Sequence, residues 1–160
     1  MNPTKNDIAA NTRKAVTQLL NERLADLIDL QLQAKQAHWN VKGPHFIGLH
    51  ELFDSVNAEV AGFVDDVAER AVALGGTVHG TATTVAKQSN LPAYPLDISA
   101  GKDHVEALSG AIAAAGKLIR AAIDRSDELG DKDTADLFTE VSRGLDKKLW
   151  FVEAHLQGGE

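Results

Sequence analysis

His50, Asp54, Asp65 and Glu69 fall into two pairs, each spaced i,i+4, and so each pair shares one face of a helix. At about 100° per residue all four lie within an arc of roughly 100°. His38 stands a short way upstream, beside Trp39. Imidazole together with carboxylate suits a divalent transition metal such as iron better than calcium or a thiolate-seeking ion. Helical bundles build iron sites from carboxylate-rich helices of this kind. A solvated acidic face produces the same spacing, and a lone His50 is more often an ordinary surface or interface histidine. Spacing alone leaves those readings open.

The helix that must carry these residues limits how they act. From Asp54 to Asp65 it rises roughly 16 Å, at 1.5 Å per residue, so one ion cannot touch both pairs of one chain. Its apolar stripe runs through Phe53, Val60, Phe63, Val64, Val67, Ala71 and Leu74. The centre of that stripe lies more than ~90° from the ligand stripe. The ligands therefore look sideways out of a bundle. An isologous twofold contact would bring His50 and Asp54 of one chain to Asp65 and Glu69 of another, making two identical sites.

Composition bounds the rest. The chain has 160 residues, the size of one domain, and 44% of them are hydrophobic, enough for a full core. Only 5% are aromatic and strand-like runs are few, so the class leans all-α. No run of about 18 apolar residues spans a membrane. Residues 1–7 lack the apolar core of a secretion signal, so the default compartment is the cytoplasm. With no cysteine, disulfides and thiolate metal sites are excluded. A net charge of −7 disfavours DNA binding by the folded body and suits attraction of cations.

Four long amphipathic segments emerge between glycine and proline breaks. The first is expected over about residues 6–37, with Val16, Leu20, Leu24, Leu27 and Ile28 on one side and Leu19, Leu30 and Leu32 on another. A helix apolar on two sides is expected to be buried on two sides. Asn40-Val41-Lys42-Gly43 breaks it, and the second starts at Pro44 and ends before Gly75-Gly76. Residues 75–99 form a long connection interrupted by Gly80, Pro92 and Pro95, with room for a short helix over 83–88. Such a connection lets the second and third long helices run parallel. The third is expected over 100–129, stopped by Gly130, and the fourth over 133–156. Neither a repeat nor a second domain is visible; residues 1–6 read as a short tail.

Three stretches carry a resemblance: Gln36-Ala37-His38-Trp39-Asn40-Val41-Lys42-Gly43, His50-Glu51-Leu52-Phe53-Asp54 and Asp65-Asp66-Val67-Ala68-Glu69-Arg70. With Leu145-Asp146-Lys147-Lys148-Leu149-Trp150-Phe151, they closely resemble the Dps family, the DNA-protection proteins of starved bacteria, also called mini-ferritins. The resemblance implies a ferritin-like four-helix bundle with a short helix in its crossover, assembled as a hollow dodecamer. It implies ferroxidase sites at the twofold interfaces, where ferrous iron is oxidised, preferably by hydrogen peroxide, and a ferric mineral stored inside. By motif position His38, His50 and Asp54 come from one chain, and Asp65 and Glu69 from its neighbour. The histidines must be neutral to bind metal, so activity is expected to fall in mild acid. Trp39 and Trp150 are candidates to accept stray oxidising equivalents, with core packing the expected role of Trp150.

DNA binding is the alternative, a nucleoid-associated protector in addition to iron storage. Many relatives use a Lys-rich N-terminal tail, whereas this chain has only Lys5, Arg13 and Lys14 before position 15. An intrachain di-iron enzyme is disfavoured by the lack of any Glu-x-x-His pair. Asp133, Asp136 and Glu140 share one side of the fourth helix and are candidates for an acidic threefold pore, as the resemblance suggests. A solvated face is the plainer reading, because Arg143 and Lys147 continue the stripe.

Overall fold

The computed structural model describes residues 1–158. Its helices are α1 (Ala10–Asn40), α2 (Phe46–Ala73), α3 (Ala82–Gln88), α4 (Gly101–Glu128) and α5 (Lys132–Glu153). The only strand-like feature among these residues is an isolated parallel bridge, Lys42 with Ala100. The architecture is the all-α four-helix bundle expected, with the short helix α3 in the crossover.

Connection lengths and cross-links set the directions. α1 and α2 form one hairpin and α4 and α5 another. The guanidinium of Arg70, in the last turn of α2, binds Asp131, the N-cap of α5. The end of α2 therefore meets the start of α5, and these two run antiparallel. α4 is antiparallel to α5 across a tight turn, so α2 and α4 run parallel, as the long crossover required. The Lys42–Ala100 bridge, just ahead of α2 and α4, places their starts at the same end.

The core is one continuous cluster built from Leu20, Leu24 and Leu27 of α1, Phe53, Val60 and Val67 of α2, Leu108, Ile112 and Ile119 of α4, and Phe138, Val141 and Leu145 of α5. Each is fully or almost fully buried. Gly144 is forced by this packing, because a Cβ there would sit 2.3 Å from Cζ of Phe63. At the far end of α2, Gly75 adopts φ +85°, the left-handed conformation that ends a helix cheaply only in glycine.

Helix boundaries differ from the sequence expectation in three informative places. α1 starts at Ala10 rather than Asn6, because Asn6 Oδ1 accepts the Ile8 amide and Thr4 Oγ1 accepts the Asn6 amide. Those local turns compete with helix. α1 then runs on through Asn40 rather than stopping at Ala37, with the Asn40 side chain donating to the Gln36 carbonyl. That extra turn places His38 and Trp39 on a rigid helix. Pro44 lies in the turn before α2 instead of opening the helix, and His45 takes the N-cap position.

The polar residues of α1 have a role that apolar patterning does not reveal. Asn21, Asp26, Asp29 and Gln33 lace the crossover to the bundle. Asn21 Nδ2 donates to the Thr77 carbonyl at 3.0 Å, Asp26 Oδ1 accepts the Asn90 amide at 2.7 Å, and Gln33 Nε2 donates to the Pro92 carbonyl at 3.0 Å. Buried Asp26 is also paired with Arg23 Nε at 2.9 Å. Of the second apolar side expected for α1, Leu30 is buried within the chain, Leu19 is half-buried, and Leu32 stands exposed.

Candidate metal centre

His38 near the end of α1 and His50 near the start of α2 face one another across the hairpin. Nδ1 of His38 lies 2.7 Å from the His50 carbonyl, and Nδ1 of His50 lies 2.8 Å from the His38 carbonyl. A carbonyl only accepts, so both Nδ1 atoms must carry the proton and donate. In a neutral imidazole that choice leaves the lone pair on Nε2. Both rings are therefore held in the tautomer that a metal-ligating histidine uses, each fixed by a backbone carbonyl. The rings stack with centroids 3.6 Å apart and planes 22° from parallel, and Phe46 packs against His50 at 5.1 Å.

Asp54, one turn beyond His50, shares an open recess with His38, His50, Glu51, Ser55 and Ala58. Its Oδ1 accepts from Lys35 Nζ at 2.7 Å. That hydrogen bond, with the lysine charge behind it, holds the Asp54 carboxyl below its ordinary value of 3.8. The carboxylate is thus ionised and ready as a hard oxygen ligand. Lys35 was not among the site residues read from the sequence. Its position three residues before His38, hence on the same helix face, was the available signal. The same ammonium lies 5.5 Å from the Trp39 ring centroid, and Trp39 is 65% exposed.

Asp65 and Glu69 do not join this cluster. Both are exposed on α2, more than two turns past Asp54. Among the described residues no three His, Asp or Glu converge within a single chain as a metal site. His38, His50 and Asp54 line one open recess without closing into a complete site, and the two distal carboxylates are presented elsewhere on the same helix.

Arg70 explains why those carboxylates point outward. It sits next to Glu69 but turns to the other side of α2, where its guanidinium bonds both Asp131 oxygens at 2.8 and 3.0 Å and Thr134 Oγ1 at 3.0 Å. Burial pushes the Asp131 carboxyl up, but the Thr134 and Arg70 hydrogen bonds outweigh it, and the group stays below its ordinary value. This clamp fixes the rotation of the last turns of α2, with Val67 and Ala71 inward and Asp65 and Glu69 outward. Trp150, expected in the core, is instead 62% exposed, beside the Phe151 ring at 4.9 Å. Asp133, Asp136 and Glu140 are all exposed along α5.

A four-helix bundle with a long crossover, a short crossover helix and backbone-fixed imidazoles beside a carboxylate points to a ferritin-like protein. The ferritin-like domain family matches residues 17–160. A DNA protection during starvation protein of Agrobacterium fabrum is 51% identical over 154 residues, covering 96% of this chain and 95% of that protein. The solved structure of Mycobacterium smegmatis Dps, in a tetragonal form, superposes with a TM-score of 0.92 at 33% identity, covering 98% of this chain and 95% of that one. Dps from Microbacterium arborescens in a high iron form gives 0.87 at 37% identity over 97% and 99% of the two chains. The chain belongs to the Dps family.

Proposed function

We propose that this protein is a ferroxidase subunit of a hollow dodecamer that oxidises ferrous iron, preferably with hydrogen peroxide, and stores the ferric product. The observation that carries the reading is the reciprocal His38–His50 pair, which leaves two lone-pair nitrogens beside the ionised Asp54. The high iron form of the M. arborescens relative supports iron as the substrate.

The chain's own residues divide the work. In this reading His38, His50 and Asp54 supply one half of the ligand set, and Asp65 and Glu69 of a twofold-related copy supply the other. The roughly 16 Å of helix between Asp54 and Asp65 supports it, since one ion cannot span that rise. Imidazole suits the ferrous substrate; the added carboxylates are harder ligands and favour the ferric product. Lys35 holds Asp54 in place until a cation replaces its ammonium; a half-exposed ion pair of this kind is weak enough to be displaced. Two ferrous ions give one electron each to hydrogen peroxide, which takes up two protons and leaves as two waters. The pairing of electrons avoids hydroxyl radical and so protects against oxidative damage. A net charge of −7 draws cations to the protein.

The test is the double variant His50→Ala, Asp54→Ala, with peroxide-driven ferrous oxidation followed by absorbance. Loss of even outer-shell partners of a metal ligand costs about tenfold or more, so the rate should fall by at least that while light scattering shows an unchanged assembly. Wild-type kinetics in an intact assembly would contradict the site.

A further inference from the structure

Half-buried Tyr94 and buried His104 form a pair that the metal centre does not use. Tyr94 lies in the crossover between Pro92 and Pro95, and His104 in the first turn of α4. The phenolic oxygen sits 2.7 Å from His104 Nδ1, and the two rings run within 20° of parallel at 6.0 Å. His104 is 1% exposed, and its Nε2 has no hydrogen-bond partner. The other groups that act on the ring are the backbone carbonyls of Asn40 and Ile98, both acceptors, though neither closes a hydrogen bond on Nε2. Acceptors suit a protonated Nε2, which leaves Nδ1 bare. The O–H of Tyr94 therefore donates to Nδ1, at a distance suited to proton transfer.

A phenol that already donates to a bare, buried imidazole nitrogen is arranged for coupled loss of an electron and a proton. Burial pushes the Tyr94 phenol up, so it does not ionise by simple acid–base exchange. Its proton leaves only when the electron does. Burial holds the His104 ring below its ordinary value, and the Asn40 and Ile98 carbonyls and the nearby charge of Asp103 offset part of that cost for an imidazolium formed in the transfer. The structure also offers a source of the oxidising equivalent. Trp39 adjoins Asn40, whose carbonyl acts on His104, and the Trp39 ring is 65% exposed, open to one-electron oxidation by hydroxyl radical, which leaves as hydroxide and, with the indole proton, as water.

We propose that Tyr94 is a redox-active side chain, giving one electron to oxidised Trp39 while its phenolic proton passes to Nδ1 of His104. The step balances. The Tyr94 O–H bond breaks, the electron reduces the tryptophan radical, which recovers its proton from water, and the products are a tyrosyl radical and the His104 imidazolium. An external one-electron reductant of the ascorbate class returns the electron, and His104 returns the proton. The pair gives the protein a place to hold an oxidising equivalent away from the metal centre.

The chain contains one tyrosine and two tryptophans, so the radicals are assignable by residue type. The experiment uses the assembled, iron-free protein and azide radicals made by pulse radiolysis, which oxidise exposed indoles. In the wild type the tryptophan radical absorbance should decay as tyrosyl absorbance grows, at a rate independent of protein concentration. His104→Gln keeps a polar side chain but removes the base, and should slow tyrosyl growth by roughly a hundredfold, the scale of a lost proton acceptor. Trp39→Phe should abolish the fast phase. Absence of tyrosyl in the wild type, or equal rates in the wild type and either variant, would overturn the proposal. Because His104 is buried and its replacement risks the fold, high-field EPR of the freeze-trapped wild-type radical gives a second readout. A tyrosyl coupled to an exchangeable hydrogen-bonded proton supports the pair; a tyrosyl with no such bond overturns it.

Discussion

His38 and His50 each donate a ring N–H to the other's backbone carbonyl, at 2.7 and 2.8 Å. Two helices of one hairpin thereby lock one another's imidazoles, and each lock selects the tautomer with a free Nε2. The arrangement is preorganised: neither ring has to turn or change its proton to meet a metal. The rings stack at 3.6 Å, and both histidines line the recess that Asp54 shares.

Lys35 is the one cation held directly against a candidate ligand, at 2.7 Å from Asp54. Replacing it with methionine keeps much of the aliphatic stem over Trp39 and removes the charge. Lys35→Met should bind a redox-inert divalent probe such as zinc more tightly, several-fold by titration calorimetry at low salt, because like charge no longer opposes the ion. Unchanged or weaker affinity would remove the lysine from the account of the site.

Asp131 caps α5 and binds Arg70 with both oxygens while being 1% exposed. Asp131→Ala leaves the guanidinium without its carboxylate and the Thr134 amide without its cap. A loss of about 3 kcal/mol in unfolding free energy is expected, measured by denaturant titration. The folded carboxyl titrates below its ordinary value of 3.8. Its contribution is therefore complete above about pH 5 and lost as the pH falls through the folded value. The wild type should lose stability in that acid window more steeply than Asp131→Ala. Parallel acid profiles would contradict this role.

The bundle, its crossover and the helical spacing of the candidate ligands were legible in the sequence for local reasons. Gly75 and Gly130 end helices in the left-handed conformation only glycine adopts cheaply, and the spacing of His50 and Asp54 follows from helix geometry. What the sequence did not show depends on contacts between distant segments. The Asp26–Asn90 and Gln33–Pro92 bonds join residues some sixty positions apart and leave no periodic trace. Lys35 was legible by spacing, but its pairing depends on how closely α1 approaches α2. Trp150 reads as core by its bulk and stands exposed, because the apolar stripe of α5 passes through Leu145 and Val152 instead. The Tyr94–His104 pair joins an irregular loop to a helix start, and no pattern of spacing announces it.

The N-terminal arm bears on DNA. The Asn2 amide donates to the Gly75 carbonyl at 2.6 Å, and Arg13 holds the Ile8 carbonyl at 2.9 Å and the Leu74 carbonyl at 3.1 Å. The arm is thus tied to the body at both ends, and Lys5 is the only basic side chain ahead of α1. In a gel-shift at about 0.15 M salt, where phosphate-driven binding is already weakened, the assembled protein should not retain duplex DNA. A robust shift there would contradict this expectation.

Asp136 is exposed near the start of α5, within one helix face of Asp133 and Glu140. Symmetry copies around a threefold axis would make a carboxylate ring that focuses ferrous ions. Asp136→Asn should slow iron uptake, most at low ferrous concentration, while equilibrium binding at the candidate metal centre stays unchanged. Stopped-flow uptake rates equal to wild type at every concentration would remove Asp136 from the iron route.

The central claim is that a complete metal site exists only between two chains. Crystals of the assembled protein soaked anaerobically in ferrous iron, with anomalous scattering recorded at the iron edge, test it most directly. The account predicts iron at a twofold contact, held by His38, His50 and Asp54 of one chain with Asp65 of the partner subunit and Glu69 of the partner subunit. Iron held by residues of a single chain, or a twofold contact that stays free of iron in saturated crystals, would contradict it.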